Sequence, residues 1–183
     1  MNDPFWRLPI VPTFDVTSAD VADGQELPVT QMSGIFGVPG GQDVSPNLAW
    51  SGAPPETQSY AVTMYDPDAP SGSGFWHWAL VDIPSSVTEL PTGAGAASGD
   101  GLPEHAFHLP NDARLTQFVG GGPPPGDPRH RYVIVVQALD IESIEKIGAR
   151  ADSTPALVFF MINSGGHLLA RAVITPWAQV PAH

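Results

Sequence analysis

The most β-branched part of the chain reads Arg131-Tyr132-Val133-Ile134-Val135-Val136-Gln137-Ala138-Leu139. β-Branched and aromatic residues suit the half-buried surface of a sheet, so this run predicts a central strand. Two further runs, residues 59–65 and 76–83, also have strand character. The second of them alternates less cleanly, which is typical of a strand covered on both faces. The three runs together indicate a fold built around a sheet.

The segments outward from these strands predict short elements and loops. Thr154 followed by Pro155 resembles a helix N-cap with proline at the first position, so a helix is expected over residues 155–163. Isoleucines spaced by three at residues 141–147 predict one or two helical turns, and residues 168–175 fit a last strand or resumed helix. The first 44 residues predict one or two short strands among loops. Residues 84–103 contain seven Gly or Pro and predict a long surface loop.

Proline and glycine are unusually frequent in this chain. The 183 residues include 21 Pro and 19 Gly, which breaks any long helix and excludes a helical bundle. Disorder is not indicated, because 42% of the residues are hydrophobic and five Trp and eight Phe are present. With no internal repeat and no linker, residues 1–183 are expected to form a single, loop-rich β domain.

The charge of the chain narrows its partners. Seven basic residues against 19 acidic ones give a net charge of −12, which disfavours nucleic acids and anionic membranes. No cysteine is present, so disulfides, thiolate metal sites and a thiol nucleophile are excluded. The N-terminal residues lack a signal-peptide pattern, and the longest apolar run, residues 156–162, is too short to cross a bilayer. A cytoplasmic location without a transmembrane segment is expected.

Two segments concentrate unusual residues. Asp66-Pro67-Asp68-Ala69-Pro70 precedes Phe75-Trp76-His77-Trp78, and Gly120-Gly121-Gly122-Pro123-Pro124-Pro125-Gly126 precedes Arg129-His130-Arg131-Tyr132. Each segment places a stiff loop beside a strand that carries a histidine, an arrangement suited to binding a small anion. Each histidine alone fits a packing role, and each loop fits a plain turn. From the residues by themselves, packing and binding are about equally well supported.

Together these segments resemble the two signature regions of the phosphatidylethanolamine-binding protein family, especially its bacterial Raf-kinase-inhibitor-like branch. The resemblance includes Asp82-Ile83-Pro84 in the first region and Ser45-Pro46-Asn47-Leu48-Ala49-Trp50 before it. It runs in order from about Gln25 to Thr175. Trp177 stands where bacterial relatives usually carry tyrosine, and residues 163–166 form a longer stretch than usual. No C-terminal site residue is therefore carried over.

The resemblance implies a mostly β fold, in which a large antiparallel sheet packs on a smaller sheet, with a few short helices. It also implies a small pocket for phosphate, phosphoethanolamine or acetate-like anions. The ligand-binding residues implied by the motif positions are Asp66, Pro70, His77, Gly122, Pro124, His130 and Tyr132.

The chemistry of these residues agrees with an anion pocket. His77, the Tyr132 hydroxyl and the backbone near Gly122 are expected to donate to a phosphate group. Asp66 is expected to face an imidazole and keep it positively charged, so that anion affinity weakens as pH rises from 6 to 8. Strand alternation predicts that Arg131 points away from His130 and is structural, with Arg129 at the pocket rim.

Two classes of function follow from the sequence. The first is a non-enzymatic binding protein for a lipid head group or similar small anion, without a cofactor, that regulates or inhibits a kinase or protease. The alternative is a metal-dependent or other hydrolytic enzyme that uses Asp66, His77 and His130. No His-x-His or His-x₃-His spacing and no Gly-x-Ser-x-Gly elbow supports that alternative. A homodimer is among the assemblies that the sequence leaves open.

Overall fold

A five-stranded antiparallel sheet forms the centre of the protein, as seen in a computed structural model that describes residues 4–182. Its strands, in chain order, are β3 (Ser59–Asp66), β4 (Phe75–Pro84), β6 (Phe107–His108), β8 (Val133–Leu139) and β9 (Leu168–Ile174). Across the sheet the order is β6-β4-β3-β8-β9. The central position of β3 and β8 agrees with their β-branched and apolar sequences.

Two smaller sheets complete the β structure. The first has the order β1-β2-β5 and consists of β1 (Asp15–Thr17), β2 (Leu48–Ser51) and β5 (Glu89–Leu90). The second pairs β7 (His130–Arg131) with β10 (Trp177–Ala178). One α-helix, α1 (Pro155–Gly165), and short 3₁₀ turns at Val29–Gln31 and Ile144–Ile147 are the helical elements of residues 4–182.

The main core lies between the large sheet and the β1-β2-β5 sheet. Val62 and Met64 from β3 and Ile134 and Val136 from β8 pack there with Trp50 from β2. Side chains alternate along a strand, so the intervening residues of β3 and β8 face the other side of the large sheet. Part of that outer face forms a second apolar cluster, in which Ala61 and Leu139 pack against α1 through residues such as Val158. The expected fold, a large antiparallel sheet on a smaller one with few short helices, is confirmed.

The predicted elements match the structure closely, with two corrections. Residues 131–139 do not form one strand, because Tyr132 separates β7 from β8 and its backbone N–H donates to Pro176 O at 2.8 Å. The 84–103 segment is not wholly a surface loop: Leu90 lies in β5 against β2, and Leu90 and Ala94 are buried. Residues 168–174 form a strand rather than resumed helix.

The helix α1 begins where the sequence predicts. The Thr154 hydroxyl accepts a hydrogen bond from the Leu157 N–H at 3.3 Å, and Pro155 occupies the first turn. This arrangement satisfies one free N–H of the first turn and needs none from the proline. Within residues 4–182, no helix is long and apolar enough to cross a membrane.

Candidate functional site

A β-bulge in β4 directs His77 toward the inner side of the large sheet. Met64 pairs with Trp78 and Tyr65 pairs with Trp76, so His77 is an extra residue without a partner on β3. Such a bulge disturbs the alternation of side chains and often re-aims one of them beside a functional site. His77 is buried, and its ring lies 5.2 Å from the ring of Tyr132, measured between centroids.

Asp66 and His130 form a buried pair at the end of β3. The Asp66 Oδ2 and His130 Nδ1 atoms are 2.8 Å apart, and both residues are at most 3% exposed. Burial raises the pKa of the Asp66 carboxyl, and the hydrogen bond from His130 opposes that rise. The aspartate therefore faces an imidazole, as the sequence predicts, with His130 rather than His77 as its partner.

His130 also faces a second carboxylate. The Asp127 Oδ2 atom lies 3.5 Å from Nε2 of His130, on the opposite edge of the ring from Asp66. The Asp127 side chain is 38% exposed, against 4% for His130. Any anion that approaches Nε2 of His130 must therefore displace this partly exposed carboxylate or bind beside it.

His77 is held in its neutral form. Its Nδ1 lies 3.1 Å from Val119 O, which is geometry for donation of the Nδ1 proton to that carbonyl. Burial lowers the pKa of His77 to about 4, and interactions with the Val119 and Gly120 backbone oppose this only in part. His77 of the ligand-free protein is therefore a neutral imidazole near neutral pH, because desolvation outweighs its hydrogen bonds.

The Tyr132 hydroxyl is a buried polar group without a well-formed hydrogen bond. Tyr132 is fully buried, and its hydroxyl oxygen has no hydrogen-bond partner among the described residues. Burial, followed by the nearby Asp66 charge, raises the pKa of this hydroxyl, while the Gly122 backbone has a small opposite effect. The hydroxyl is therefore a protonated donor at every physiological pH.

The Gly120–Pro125 segment passes directly over Tyr132. A Cβ added to Gly121 would lie 2.8 Å from Cζ of Tyr132, and a Cβ on Gly122 would lie 3.0 Å from Cδ2 of Phe36. Glycine at both positions permits this close approach of the backbone. Gly122 and Pro124 line a cavity of about 150 Å³ with Phe36 and its neighbours, and Pro124 itself is exposed.

Phe36 is the member of this site that the sequence does not indicate. Its ring packs edge-on against Phe75 at 5.7 Å and against His77 at 6.4 Å, yet Phe36 is 44% exposed. The Asp43 carboxylate accepts from Ile35 N–H at 3.0 Å and from Gly120 N–H at 2.8 Å, and so ties the Phe36 loop to the Gly120–Pro125 segment. The pattern of glycines at 34–41 indicates a loop there, but no motif connects that loop with His77.

Arg131 fixes the loop that follows Asp66. Its Nε and Nη2 atoms donate to the two oxygens of Asp68 at 2.7 and 2.8 Å, and its backbone N–H donates to the same carboxylate at 2.9 Å. These contacts lower the pKa of Asp68. The structural role predicted for Arg131 is confirmed. Pro70 lies exposed in the turn after Asp68 and is outside the buried cluster.

The C-terminal strand supports His130 from behind. Ala178 in β10 pairs with His130 and Trp177 pairs with Arg131. The Arg129 guanidinium lies 3.8 Å from the centroid of the Trp177 ring, and the Trp177 indole N–H donates to Gly24 O at 3.0 Å. Trp177 therefore has a packing role on the Arg129 side of β7.

The structure thus brings Asp66, His77, His130 and Tyr132 into one buried cluster, with Gly122 beside it and Pro124 and Pro70 at exposed positions. The cluster offers a hydroxyl donor and two imidazoles at the end of a strand pair. Within residues 4–182, no group of three or more His, Asp or Glu side chains has an arrangement that could hold a metal ion. A two-histidine, one-carboxylate metal site made of Asp66, His77 and His130 is not formed.

Comparison with known proteins agrees with this geometry. The family model for phosphatidylethanolamine-binding protein matches residues 17–177. The chain belongs to the phosphatidylethanolamine-binding protein family. Its resemblance to that family, first seen in the motifs around His77 and His130, is thereby confirmed over most of its length.

Several relatives are bacterial. The chain is 45% identical over 167 residues to the UPF0098 protein YbcL of Escherichia coli K12, covering 91% of this chain and 88% of YbcL. It is 39% identical over 158 residues to the UPF0098 protein YbhB of the same organism, covering 86% and 95% of the two chains.

Solved structures of related proteins have the same fold. The crystal structure of Escherichia coli YbcL, described as a member of the mammalian PEBP family, matches with a TM-score of 0.85 at 43% identity over 91% of this chain and 98% of YbcL. The putative PEBP homologue CT736 of Chlamydia trachomatis matches with a TM-score of 0.71 at 22% identity, covering 90% and 96% of the two chains. The second similarity concerns the fold alone.

Proposed function

We propose that this protein is a non-enzymatic binding protein for small phosphate-type anions. The site consists of Asp66, Pro70, His77, Gly122, Pro124, His130 and Tyr132, and the ligand class is phosphate, phosphoethanolamine or an acetate-like carboxylate. The observation that carries this proposal is the buried Tyr132 hydroxyl without a hydrogen-bond partner, beside the Asp66–His130 pair.

An unpartnered buried hydroxyl favours a ligand that accepts a hydrogen bond. Leaving such a donor unpaired costs about 1–3 kcal/mol, and a ligand oxygen placed on it recovers that cost. The Tyr132 hydroxyl can donate to a ligand oxygen. The Nε2 atom of His130 faces away from Asp66, toward the position where the Asp127 carboxylate lies 3.5 Å away. An anion at this position would therefore replace the Asp127 carboxylate beside His130.

Entry to the cluster requires Phe36 to move. Phe36 contacts the Gly122 backbone and the His77 ring, while His77, His130 and Tyr132 are all buried. We expect a rotation of the Phe36 side chain to connect these groups with the cavity of about 150 Å³ that Phe36 lines. That cavity is smaller than the ~300–1,000 Å³ typical of drug-sized ligands, so we infer recognition of a head group rather than a whole lipid.

Anion binding is coupled to uptake of a proton by His77. The free protein holds His77 neutral because burial lowers its pKa to about 4. A bound anion stabilises the imidazolium and raises that pKa. Affinity therefore falls as pH rises from about 4 toward the pKa of the complex, a window that begins lower than the pH 6–8 range expected from the sequence.

Titration with inorganic phosphate, phosphoethanolamine and acetate tests the proposal. Imidazole ¹H–¹³C NMR signals of His77 and His130 are followed in wild-type protein and in Tyr132→Phe. Saturable shifts of both histidines, weakened about tenfold by the loss of the Tyr132 hydroxyl, are expected. Unchanged His77 and His130 signals at millimolar ligand would falsify the proposal. His105, which is exposed and far from any described pairing partner except Glu104, provides the internal control for bulk salt effects.

We also propose that the protein regulates a protein target such as a kinase or protease. Ile35 and Phe36 are 50% and 44% exposed on the loop that covers the cluster. If the anion displaces Phe36, this apolar surface changes with ligand occupancy. A partner that contacts the 33–43 loop would then sense the bound anion, and mutation of Ile35→Ser would weaken that partner without changing phosphate affinity.

A further inference from the structure

A second cavity lies on the opposite face of the large sheet, away from the anion cluster. Its volume is about 350 Å³. The floor is the outer face of β3 and β8, one wall is α1, and the remaining wall is the N-terminal segment. Its lining is mostly aromatic and aliphatic and includes Phe5, Tyr65, Trp76, Phe159 and Phe160.

The walls of this cavity are held in place by aromatic contacts and by one arginine. Trp76 stacks on Phe159 with ring centroids 5.5 Å apart and an interplanar angle of 11°, and Tyr65 lies 4.7 Å from Trp76. Arg171 donates to Pro9 O at 2.8 Å and lies 4.9 Å from the Phe5 ring centroid, which fixes the N-terminal segment over the sheet. The cavity is therefore part of a packed arrangement of aromatic side chains.

Two polar atoms in this apolar setting have no partner. Gln137 is 7% exposed, and its Oε1 atom is buried without a hydrogen bond among the described residues. The Oδ1 atom of Asn163 is likewise buried and unpaired, although its Nδ2 donates to Phe159 O at 2.6 Å. Both side chains line the cavity. Buried acceptors are almost always paired. Two unpaired amide oxygens in residues that line one cavity would gain a partner if the amides turned toward a hydrogen-bond donor placed in it.

The lining also excludes a charged occupant. No residue that lines this cavity in the described part of the chain has a charged side chain. A charge placed there would lose its hydration without gaining a counterion, which is costly. The aromatic walls favour a flat apolar body, and a volume of about 350 Å³ accommodates a molecule of one or two rings.

We propose that this cavity is a second ligand site, which binds a small neutral aromatic molecule through an N–H or O–H group. That group donates to the amide oxygens of Gln137 and Asn163 after these side chains turn toward it. The ligand enters beside Leu8 and Phe160, the lining residues that are 37% and 67% exposed. The site shares no lining residue with the 150 Å³ cavity beside Gly122, so it operates independently of the anion cluster.

Indole and 1-methylindole are the probes for this site, because methylation removes the N–H donor and changes little else. Binding to the full chain is measured by ¹H–¹⁵N NMR, with the side-chain amide signals of Gln137 and Asn163 as reporters. Wild-type protein is expected to bind indole about tenfold more tightly than 1-methylindole. In the Gln137→Met, Asn163→Leu double variant, which nearly keeps the volume and removes both acceptors, the two affinities should differ by less than about threefold.

A matched pair of helix variants tests the location. Ala156 and Leu157 are adjacent exposed residues of α1, but only Ala156 lines the cavity. Ala156→Trp should lower indole affinity at least about tenfold by filling the cavity, whereas Leu157→Trp should leave it unchanged. Backbone spectra of all variants establish that they fold.

Three results would overturn the proposal. One is the absence of saturable indole binding up to the solubility limit. Another is a preference for indole over 1-methylindole that persists in the Gln137→Met, Asn163→Leu double variant, which would reflect the size of the methyl group rather than the N–H donor. The third is indole-induced shifts centred on Phe36 and Gly122, with equal effects of Ala156→Trp and Leu157→Trp. Phosphate-induced shifts of the His77 signals are measured in a separate titration, so the proposals for the two sites are tested independently.

Discussion

The two faces of the β3–β8 pair carry candidate sites of opposite character. On the inner face, beyond Met64, the strand β3 ends in Asp66, which pairs with His130 next to the buried Tyr132 hydroxyl. On the outer face, Thr63 and Tyr65 line the floor of an apolar cavity whose polar groups include the neutral amides of Gln137 and Asn163. Alternation of side chains assigns neighbouring residues of one strand to these different environments. The titratable histidines of the candidate anion cluster therefore lie on the inner face, whereas the residues that line the outer cavity are uncharged, and the two faces should bind ligands of different chemistry.

The largest effect that distinguishes the faces is expected from acid. Burial lowers the pKa values of His77 and His108 to about 4, below the ~6.5 of an unfolded histidine. As pH falls below 6.5, these histidines take up protons in the unfolded chain but remain neutral in the folded chain. The free energy of unfolding is therefore greatest above pH 6.5 and decreases toward pH 4. Between pH 7.5 and 5 each histidine should cost about 2 kcal/mol of the free energy of unfolding.

Urea unfolding at pH 7.5 and 5 measures this loss. His108→Gln should reduce the pH-dependent loss of stability by about half, because it removes one of the two buried histidines with a lowered pKa. The Gln side-chain oxygen can accept from the Trp78 indole N–H, which donates to His108 Nδ1 at 3.1 Å in the wild type. Indole affinity, in contrast, should not change between these pH values. Equal pH dependence of wild-type and His108→Gln stability would contradict the assignment.

The Tyr132→Phe change separates affinity from stability. It removes a buried hydroxyl that has no partner in the described chain, so stability should stay constant or rise by up to about 1 kcal/mol. Phosphate affinity should fall about tenfold by calorimetry or NMR, and indole affinity should remain the same. A loss of stability without a loss of phosphate affinity would show that the hydroxyl is a packing group.

A smaller effect is expected from the arginine that holds the site loop. Arg131→Leu removes the paired contacts with Asp68, and because both side chains are partly exposed the cost should be about 1 kcal/mol at pH 7. The pKa of Asp68 is lowered by this partner, so the contribution is present above pH ~4 and is lost as pH falls through the lowered value. The thermal unfolding temperatures of wild type and variant should converge as the pH falls through this lowered pKa. A constant difference would mean that packing, not charge, accounts for it.

The smallest predicted effect concerns Asp127. Its carboxylate lies 3.5 Å from Nε2 of His130 and repels an incoming anion. Asp127→Asn should therefore raise phosphate affinity about threefold, an electrostatic effect that shrinks at high salt. Asp112→Asn would be a poor control because Asp112 accepts from the Trp76 N–H, so Asp100, an exposed residue in the 84–103 segment, is the matched position. Equal gains from Asp127→Asn and Asp100→Asn would indicate a change in net charge only.

The sequence predicts much of this fold because its strongest patterns are local. β-Branched residues in 133–139, the Thr154-Pro155 helix start and the proline-bounded run at 59–65 depend on neighbours along the chain. The two His-containing motifs mark the inner site for a similar reason, since each joins a stiff loop to a strand within a few residues.

The sequence does not predict the features that arise when distant segments meet. Phe36 reaches His77 from 41 positions away along the chain, and no periodicity relates the two residues. The bulge that turns His77 inward depends on pairing of β4 with β3, and Tyr132 interrupts its strand through a bond to Pro176. The low pKa of His77 follows from complete burial, which no local pattern reveals.

The sequence by itself determined the β-rich fold, the family and the residue types at the candidate anion site, because each is encoded in short-range spacing. Only the tertiary structure decided that His130 rather than His77 pairs with Asp66, that Phe36 covers the cluster, and that a second, apolar cavity lies behind β3 and β8. The physical reason is that burial and long-range contact set charge, access and empty volume, and these quantities exist only once the sheets have packed.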